Sequence, residues 1–210
     1  SLHSSSSQVL ALGDLDGDGD LDAYFGRFNS FPVSGARDSV WINRHGGNFT
    51  KTSQIFEDVP TSAVALGDLD GDGDLDAVVA MSATASKILL NQESTVYVEP
   101  EFVDSGQSLG NANISVIELG DADGDGDLDI FFGSEERPGE LWLNDGDGLF
   151  SDSGERLGET LSQYVTLGDV DGDGDLDAVV GDGQANTVWT NDGHGGFGNA
   201  GQTFGESGSR

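Results

Sequence analysis

Aspartate recurs at every second position in four stretches of the chain. The first stretch holds Asp14, Asp16, Asp18, Asp20 and Asp22, and the second holds Asp68, Asp70, Asp72, Asp74 and Asp76. The third holds Asp121, Asp123, Asp125, Asp127 and Asp129, and the fourth Asp169, Asp171, Asp173, Asp175 and Asp177. Hard carboxylate oxygens at alternate positions suit calcium, which takes about six to eight oxygen ligands in flexible geometry. Glycine at positions 4 and 6 of each run (Gly17 and Gly19 in the first) permits the tight winding that aims successive carboxylates inward. By analogy with other calcium loops, position 7 supplies its backbone carbonyl, and position 9 returns a carboxylate from the start of the next strand. Like charges about 4 Å apart repel by about 1 kcal/mol even in water. Five carboxylates packed into so short a run therefore resist closing without a cation. An EF-hand needs Glu at position 12, where this chain has Phe25, Val79, Phe132 and Val180.

These loops need elements to hold them, and the flanking residues supply a repeated set. The leading aspartates, Asp14, Asp68, Asp121 and Asp169, recur at the blade-sized period of a repeat protein. Before each loop comes an alternating apolar segment, as in Val9-Leu10-Ala11-Leu12, and after it a short apolar run, as in Ala77-Val78-Val79. A third segment ends in Asn at Asn43, Asn91, Asn144 and Asn191. A fourth opens with Phe and returns an apolar residue seven positions on, giving Phe49/Phe56, Phe102/Leu109, Phe150/Leu157 and Phe197/Phe204. All four segments read as short strands, with Gly-rich turns between the third and fourth. Units of four strands and no helix at this period read as propeller blades, each needing neighbours to bury its faces. The expected fold is all-β: a β-propeller of four-stranded blades, four in this chain. It forms a single domain, 1–210, with blades at approximately 8–58, 62–110, 114–158 and 163–206.

The D-x-D-G-D-G-x-x-D loop between two apolar strands resembles the FG-GAP/VCBS repeat, which builds the calcium-binding propeller of integrin α-subunit heads and many bacterial surface proteins. The resemblance covers essentially the whole chain. It implies one Ca²⁺ in the first hairpin of each blade, four in all. Side-chain ligands would come from positions 1, 3, 5 and 9 of each loop, and carbonyl ligands from Asp20, Asp74, Asp127 and Asp175. Integrin heads have seven blades, only some with the metal loop, whereas here every unit carries it.

Composition narrows the partners. With 39 acidic residues against 8 basic ones and a net charge of −31, the chain is unsuited to nucleic acid or an anionic membrane. No apolar run approaches the roughly 20 residues of a membrane span. Cysteine is absent, which excludes disulfides and thiol chemistry. The chain opens on Ser1 and its only Met is Met81, so a processed chain whose signal peptide has been removed is expected. Reliance on calcium sites of about 10⁻⁴–10⁻³ M affinity would place the protein outside the cytosol, secreted or at the cell surface. Four units plus a short overlap of the termini fit a closed ring, four blades of a longer array, or a half-ring completed by a second copy.

No catalytic constellation stands out from the aspartate pattern, and His3, His45 and His194 read as exposed turn residues. Trp41, Trp142 and Trp189, with Leu89 in the remaining unit, read as packing between blades, with sugar stacking as the functional alternative. Long connections at Gly26 to Asp38 and Gln92 to Glu101 are either partner loops or tolerated insertions. The expected role is a non-catalytic adhesion or interaction propeller binding protein or glycan. The alternatives are a calcium-stabilised lectin and an accessory domain of a secreted enzyme.

Overall fold

The computed structural model describes residues 8–27, 37–56, 59–92, 99–111, 113–158, 161–181 and 185–205. Among them the regular elements are all strands. Blade one holds β1 (Gln8–Gly13), β2 (Asp22–Arg27), β3 (Ser39–Asn43) and β4 (Phe49–Lys51). Blade two holds β5 (Thr61–Gly67), β6 (Asp76–Met81), β7 (Lys87–Gln92) and β8 (Glu101–Asp104). Blade three holds β9 (Ile114–Gly120), β10 (Asp129–Ser134), β11 (Gly139–Asn144) and β12 (Phe150–Leu157). Blade four holds β13 (Tyr164–Gly168), β14 (Asp177–Gly181), β15 (Asn186–Asn191) and β16 (Phe197–Phe204). Each blade is a separate four-stranded antiparallel sheet whose strands pair in chain order. This is the all-β propeller-blade fold that the repeat implied.

The local reasons are those of strand chemistry. In blade one the β1–β2 register pairs Gly13 with Asp22 and Leu12 with Ala23, so the acidic run is the hairpin loop itself. Gly17 and Gly19 both take positive φ, in the left-handed region that side-chain-bearing residues rarely adopt. The central second strands carry the apolar runs, and every residue of β6 and β10 is buried. The fourth strand is less uniform than the Phe spacing suggests. β12 and β16 run eight residues, whereas β4 stops after three exposed ones. Phe56 lies beyond β4 but still packs against the core of its unit.

Contacts divide the chain into two compact units. One comprises residues 1–68 and 72–112, and the other 69–71 and 113–210. In the first unit Tyr24, Val40 and Ile42 of blade one meet Ala77, Val79 and Leu89 of blade two, with Val64 and Leu66 of β5 packed alongside. In the second unit Phe131, Leu141 and Leu157 of blade three meet Val165, Ala178 and Val180 of blade four, with Leu167 and Trp189 alongside.

A side-chain clamp accompanies this packing. The side-chain amide of the Asn closing the third strand donates to a loop position 2 carbonyl. In the first unit Asn91 Nδ2 reaches Leu15 O at 3.0 Å. In the second, Asn144 Nδ2 reaches Leu69 O at 2.9 Å and Asn191 Nδ2 reaches Ala122 O at 2.7 Å.

Candidate metal centre

Each acidic loop is wound by its own backbone. Position 1 accepts amide hydrogens from the glycine at position 6: Gly19 to Asp14 at 2.9 Å, Gly73 to Asp68 at 3.1 Å, Gly126 to Asp121 at 3.1 Å and Gly174 to Asp169 at 3.2 Å. Position 5 accepts from position 7, as in Asp20 N to Asp18 Oδ1 at 2.9 Å and Asp127 N to Asp125 Oδ1 at 3.0 Å.

Position 9 does something different. Asp22, Asp76, Asp129 and Asp177 are fully buried at the start of the second strand. In blade three, Asp129 Oδ2 accepts the Ala122 amide at 2.7 Å and Oδ1 the Asn144 amide at 2.9 Å. In blade one, Asp22 takes Leu15 N at 2.8 Å and Asn43 N at 2.7 Å, and in blade four Asp177 takes Val170 N at 2.8 Å and Asn191 N at 2.9 Å. Asp76 takes the Asn91 amide at 2.7 Å. The position-9 carboxylate thus ties the loop to the third strand, a structural duty the sequence reading did not assign. The signal available was the Asn that closes every third strand.

Carboxylate oxygens converge within each loop. Asp121, Asp123 and Asp129 bring one oxygen each to within 4.8 Å of one another, as do Asp169, Asp171 and Asp177, and Asp68, Asp70 and Asp76. These are positions 1, 3 and 9. In the first loop the converging carboxylates are Asp14, Asp16 and Asp18, and a second set joins Asp18 and Asp20 to His45. The side chains of Asp72, Asp125 and Asp173 at position 5 lie outside these sets, as do those of Asp74, Asp127 and Asp175 at position 7. Asp22 is likewise outside the sets of its own loop.

Burial, together with neighbouring carboxylates, raises the affinity of these groups for protons. Asp129 is pushed up to about 6, mainly by burial, with its two backbone hydrogen bonds opposing and Asp123 and Asp125 adding to the rise. Asp16, Asp123 and Asp171 are raised in the same sense, burial first. Such oxygens suit an all-oxygen divalent cation. Asp16 Oδ1 adds to that fit, because it is buried with no hydrogen-bond partner among the described residues.

The first loop also carries basic groups from the β3–β4 turn. Arg44 Nη1 lies 3.3 Å from Asp16 Oδ2, and His45 Nδ1 lies 2.6 Å from Asp20 Oδ2. The His45 side chain is exposed, as expected of a turn residue, and its proton affinity is raised by the Asp20 hydrogen bond and the Asp20 and Asp18 charges. His194 is an exposed turn residue, and His3 lies outside the described residues. The three tryptophans are half-buried, each donating Nε1 to the side chain two residues earlier: Ser39, Glu140 and Thr187. Trp189 packs on the core shared by blades three and four. Of the two long connections, residues 28–36 and 93–98 lie outside the described residues.

The first unit also holds a cleft of about 130 Å³ lined by Tyr24, Phe56, Phe102, Asp38, Lys87 and Asp104 among others. Buried Asp38 accepts from Tyr24 Oη at 3.1 Å, Thr61 Oγ1 at 2.8 Å and the Arg27 amide at 2.9 Å. Burial still leaves its carboxyl above the ordinary range.

Four antiparallel blades, each with an acidic first hairpin, define a repeat protein of propeller type. The FG-GAP-like repeat model matches residues 14–79 and 121–180, and the chain belongs to that family. Comparison of the sequence with curated proteins found no match. Among solved structures the chain is similar to an Agrocybe aegerita lectin described by its specific recognition of non-reducing terminal N-acetylglucosamine. The identity is 26% and the TM-score 0.56, over 89% of this chain and 49% of the lectin. It also matches the V. cholerae biofilm matrix protein Bap1 at 19% identity and TM-score 0.48, over 93% of this chain and 31% of that one. The chain therefore spans about half the length of the lectin. No helix of the described residues is long and apolar enough to cross a membrane.

Proposed function

We propose that the protein is a non-catalytic, calcium-loaded binding propeller that works outside the cytosol and presents its loops to a protein or glycan. The observation that carries this reading is the convergence of three carboxylate oxygens in every acidic loop of an FG-GAP-like scaffold. Bound calcium would supply positive charge that offsets the mutual repulsion of the aspartates. Residues at positions 1 and 3, joined in three loops by position 9, would hold it. The chain does the rest. Position 6 amides orient position 1, and position 9 anchors the loop base to the third strand.

The dependence follows from mass action, since an ion that binds only the folded loops stabilises them. Calorimetric melting in millimolar calcium should give a higher midpoint than melting in chelator. An unchanged midpoint would refute the metal reading.

A lectin is the second reading. Similarity to a glycan-recognising lectin favours it, together with the aromatic cleft of the first unit with its buried carboxylate. A glycan array probed with and without calcium separates the two. Binding that is lost in Phe102→Ala supports the lectin, and a blank array in both conditions leaves protein adhesion.

A further inference from the structure

The side-chain clamp within each unit is the middle of a longer chain of hydrogen bonds. In the second unit that chain starts at Asp177, one of the three converging carboxylates of the fourth loop. Asp177 Oδ1 accepts the backbone amide of Asn191 at 2.9 Å. The Asn191 side chain donates to Ala122 O, in the third loop, at 2.7 Å. The Ala122 amide donates in turn to Asp129 Oδ2 at 2.7 Å. Asp129 is itself a converging carboxylate of the third loop, and Ala122 stands in sequence between the other two, Asp121 and Asp123. Two residues and three hydrogen bonds therefore connect one candidate cation centre to the next.

The first unit repeats the chain. Asp76, from the converging set of the second loop, accepts the Asn91 amide at 2.7 Å. Asn91 Nδ2 donates to Leu15 O at 3.0 Å, and Leu15 N donates to Asp22 Oδ2 at 2.8 Å. Leu15 stands between Asp14 and Asp16, both in the converging set of the first loop. Every residue of the two chains is buried: Asp177, Asn191, Ala122 and Asp129 in one unit, Asp76, Asn91, Leu15 and Asp22 in the other. Away from water each bond of such a chain polarises the next and strengthens it. A carboxylate oxygen that accepts one amide still has a lone pair for a cation.

We infer that the two loops of a unit are coupled, so that filling one raises the calcium affinity of the other, with Asn91 and Asn191 as the positioning residues. This rests on the calcium reading of the loops. Asp177, held at its own centre, holds the Asn191 backbone. Asn191 fixes the Ala122 carbonyl, and the peptides on either side of Ala122 carry Asp121 and Asp123. Ordering completed at one centre need not be repeated at the next, which makes the second binding tighter. By linkage the effect runs both ways with one magnitude. Charge alone predicts the reverse, because two bound cations repel, and salt screens that repulsion. Positive coupling that persists in salt is therefore the signature of the hydrogen-bonded chain.

Amide NMR of the isotopically labelled full chain reads the loops separately during a calcium titration. Gly126 reports the third loop and Gly174 the fourth, since each donates its amide to the leading aspartate of its loop. About 1 M monovalent salt, with a screening length of about 3 Å, suppresses the effect of a lost charge. Asp171→Asn weakens the fourth site at an exposed residue. It should raise the calcium midpoint at Gly126 by about fivefold or more, the lower end of ordinary coupling. Asp123→Asn should raise the midpoint at Gly174 by the same factor. With Asn191→Ala in place, adding Asp171→Asn should no longer move the Gly126 midpoint, whereas a merely structural Asn191 would leave that response intact. In Asn191→Ala the Ala122 carbonyl keeps the Gly195 amide as a donor, and the dispersion of the amide spectrum checks the fold. If that variant does not fold, the two reciprocal midpoints decide. A Gly126 midpoint that stays within about twofold in Asp171→Asn, unequal reciprocal shifts, or a response that survives Asn191→Ala overturns the coupling alone. Glycine amides that ignore calcium altogether overturn the calcium reading and the coupling with it.

Discussion

At the level of single residues, the positions of each loop divide into anchors and tips. Asp129 holds two buried amides. Removing it leaves both without an acceptor, at about 1–3 kcal/mol for each unsatisfied group. Asp129→Ala should therefore lower stability in urea titrations even with chelator present. Asp123→Ala, at a converging carboxylate that accepts only the exposed Asp125 amide, should change the urea midpoint in chelator far less and act through calcium binding. Protons tell the same story. Asp129 is raised from 3.8 to about 6, so in chelator the folded protein binds more protons than the unfolded chain between those values. Stability must fall as pH climbs through that window. Asp16, Asp123 and Asp171, raised in the same direction, add to the fall. Asp152 is lowered by its Arg156 partner and runs the other way, but the pair is exposed and worth little. Urea midpoints in chelator should be higher near about pH 4 than near about pH 7, with calcium reversing the order because ligand carboxylates must be ionised. The candidate oxygens were legible in the sequence because alternating Asp and Gly have few other uses. The anchoring duty of position 9 was not, because nothing in a row of aspartates says which one is buried.

At the level of elements, the strands were readable from alternation and from the Asn that ends every third one. The length of the fourth strand was not. Phe49 and Phe56 keep the spacing of Phe150 and Leu157, yet β4 stops at Lys51. Pairing with β3 ends there, and Phe56 is held by packing on Tyr24 and Phe102 instead of by the ladder. The joints between blades depend on a missing Cβ, which sequence pattern conceals among many turn glycines. Gly120→Ala would press on Leu167 and Leu176. Overpacking of this kind should destabilise by about 1–3 kcal/mol. Gly168→Ala, with open space beside it, should melt almost where the parent chain does. Thermal melts of the two variants side by side check the contrast.

At the level of the whole molecule, charge dominates. An excess of 31 negative charges over 210 residues favours expansion. About 1 M monovalent salt shortens the screening length to about 3 Å. Salt alone should therefore raise the melting midpoint in chelator. Calcium at equal ionic strength should raise it further, because each site filled at about a hundredfold excess over Kd would add about 2.7 kcal/mol of stability. Differential scanning calorimetry at matched ionic strength separates screening from specific binding. The buried aspartate at the base of each hairpin has one more consequence. Because it grips the third strand through backbone amides, it would go on gripping if a proposed calcium ion were removed. A fall in ambient calcium would then slacken the outer bend, near Gly17 to Asp20 and its counterparts, before any sheet unzips. Proteases would find their first foothold at those bends, and the nicked blades would remain assembled.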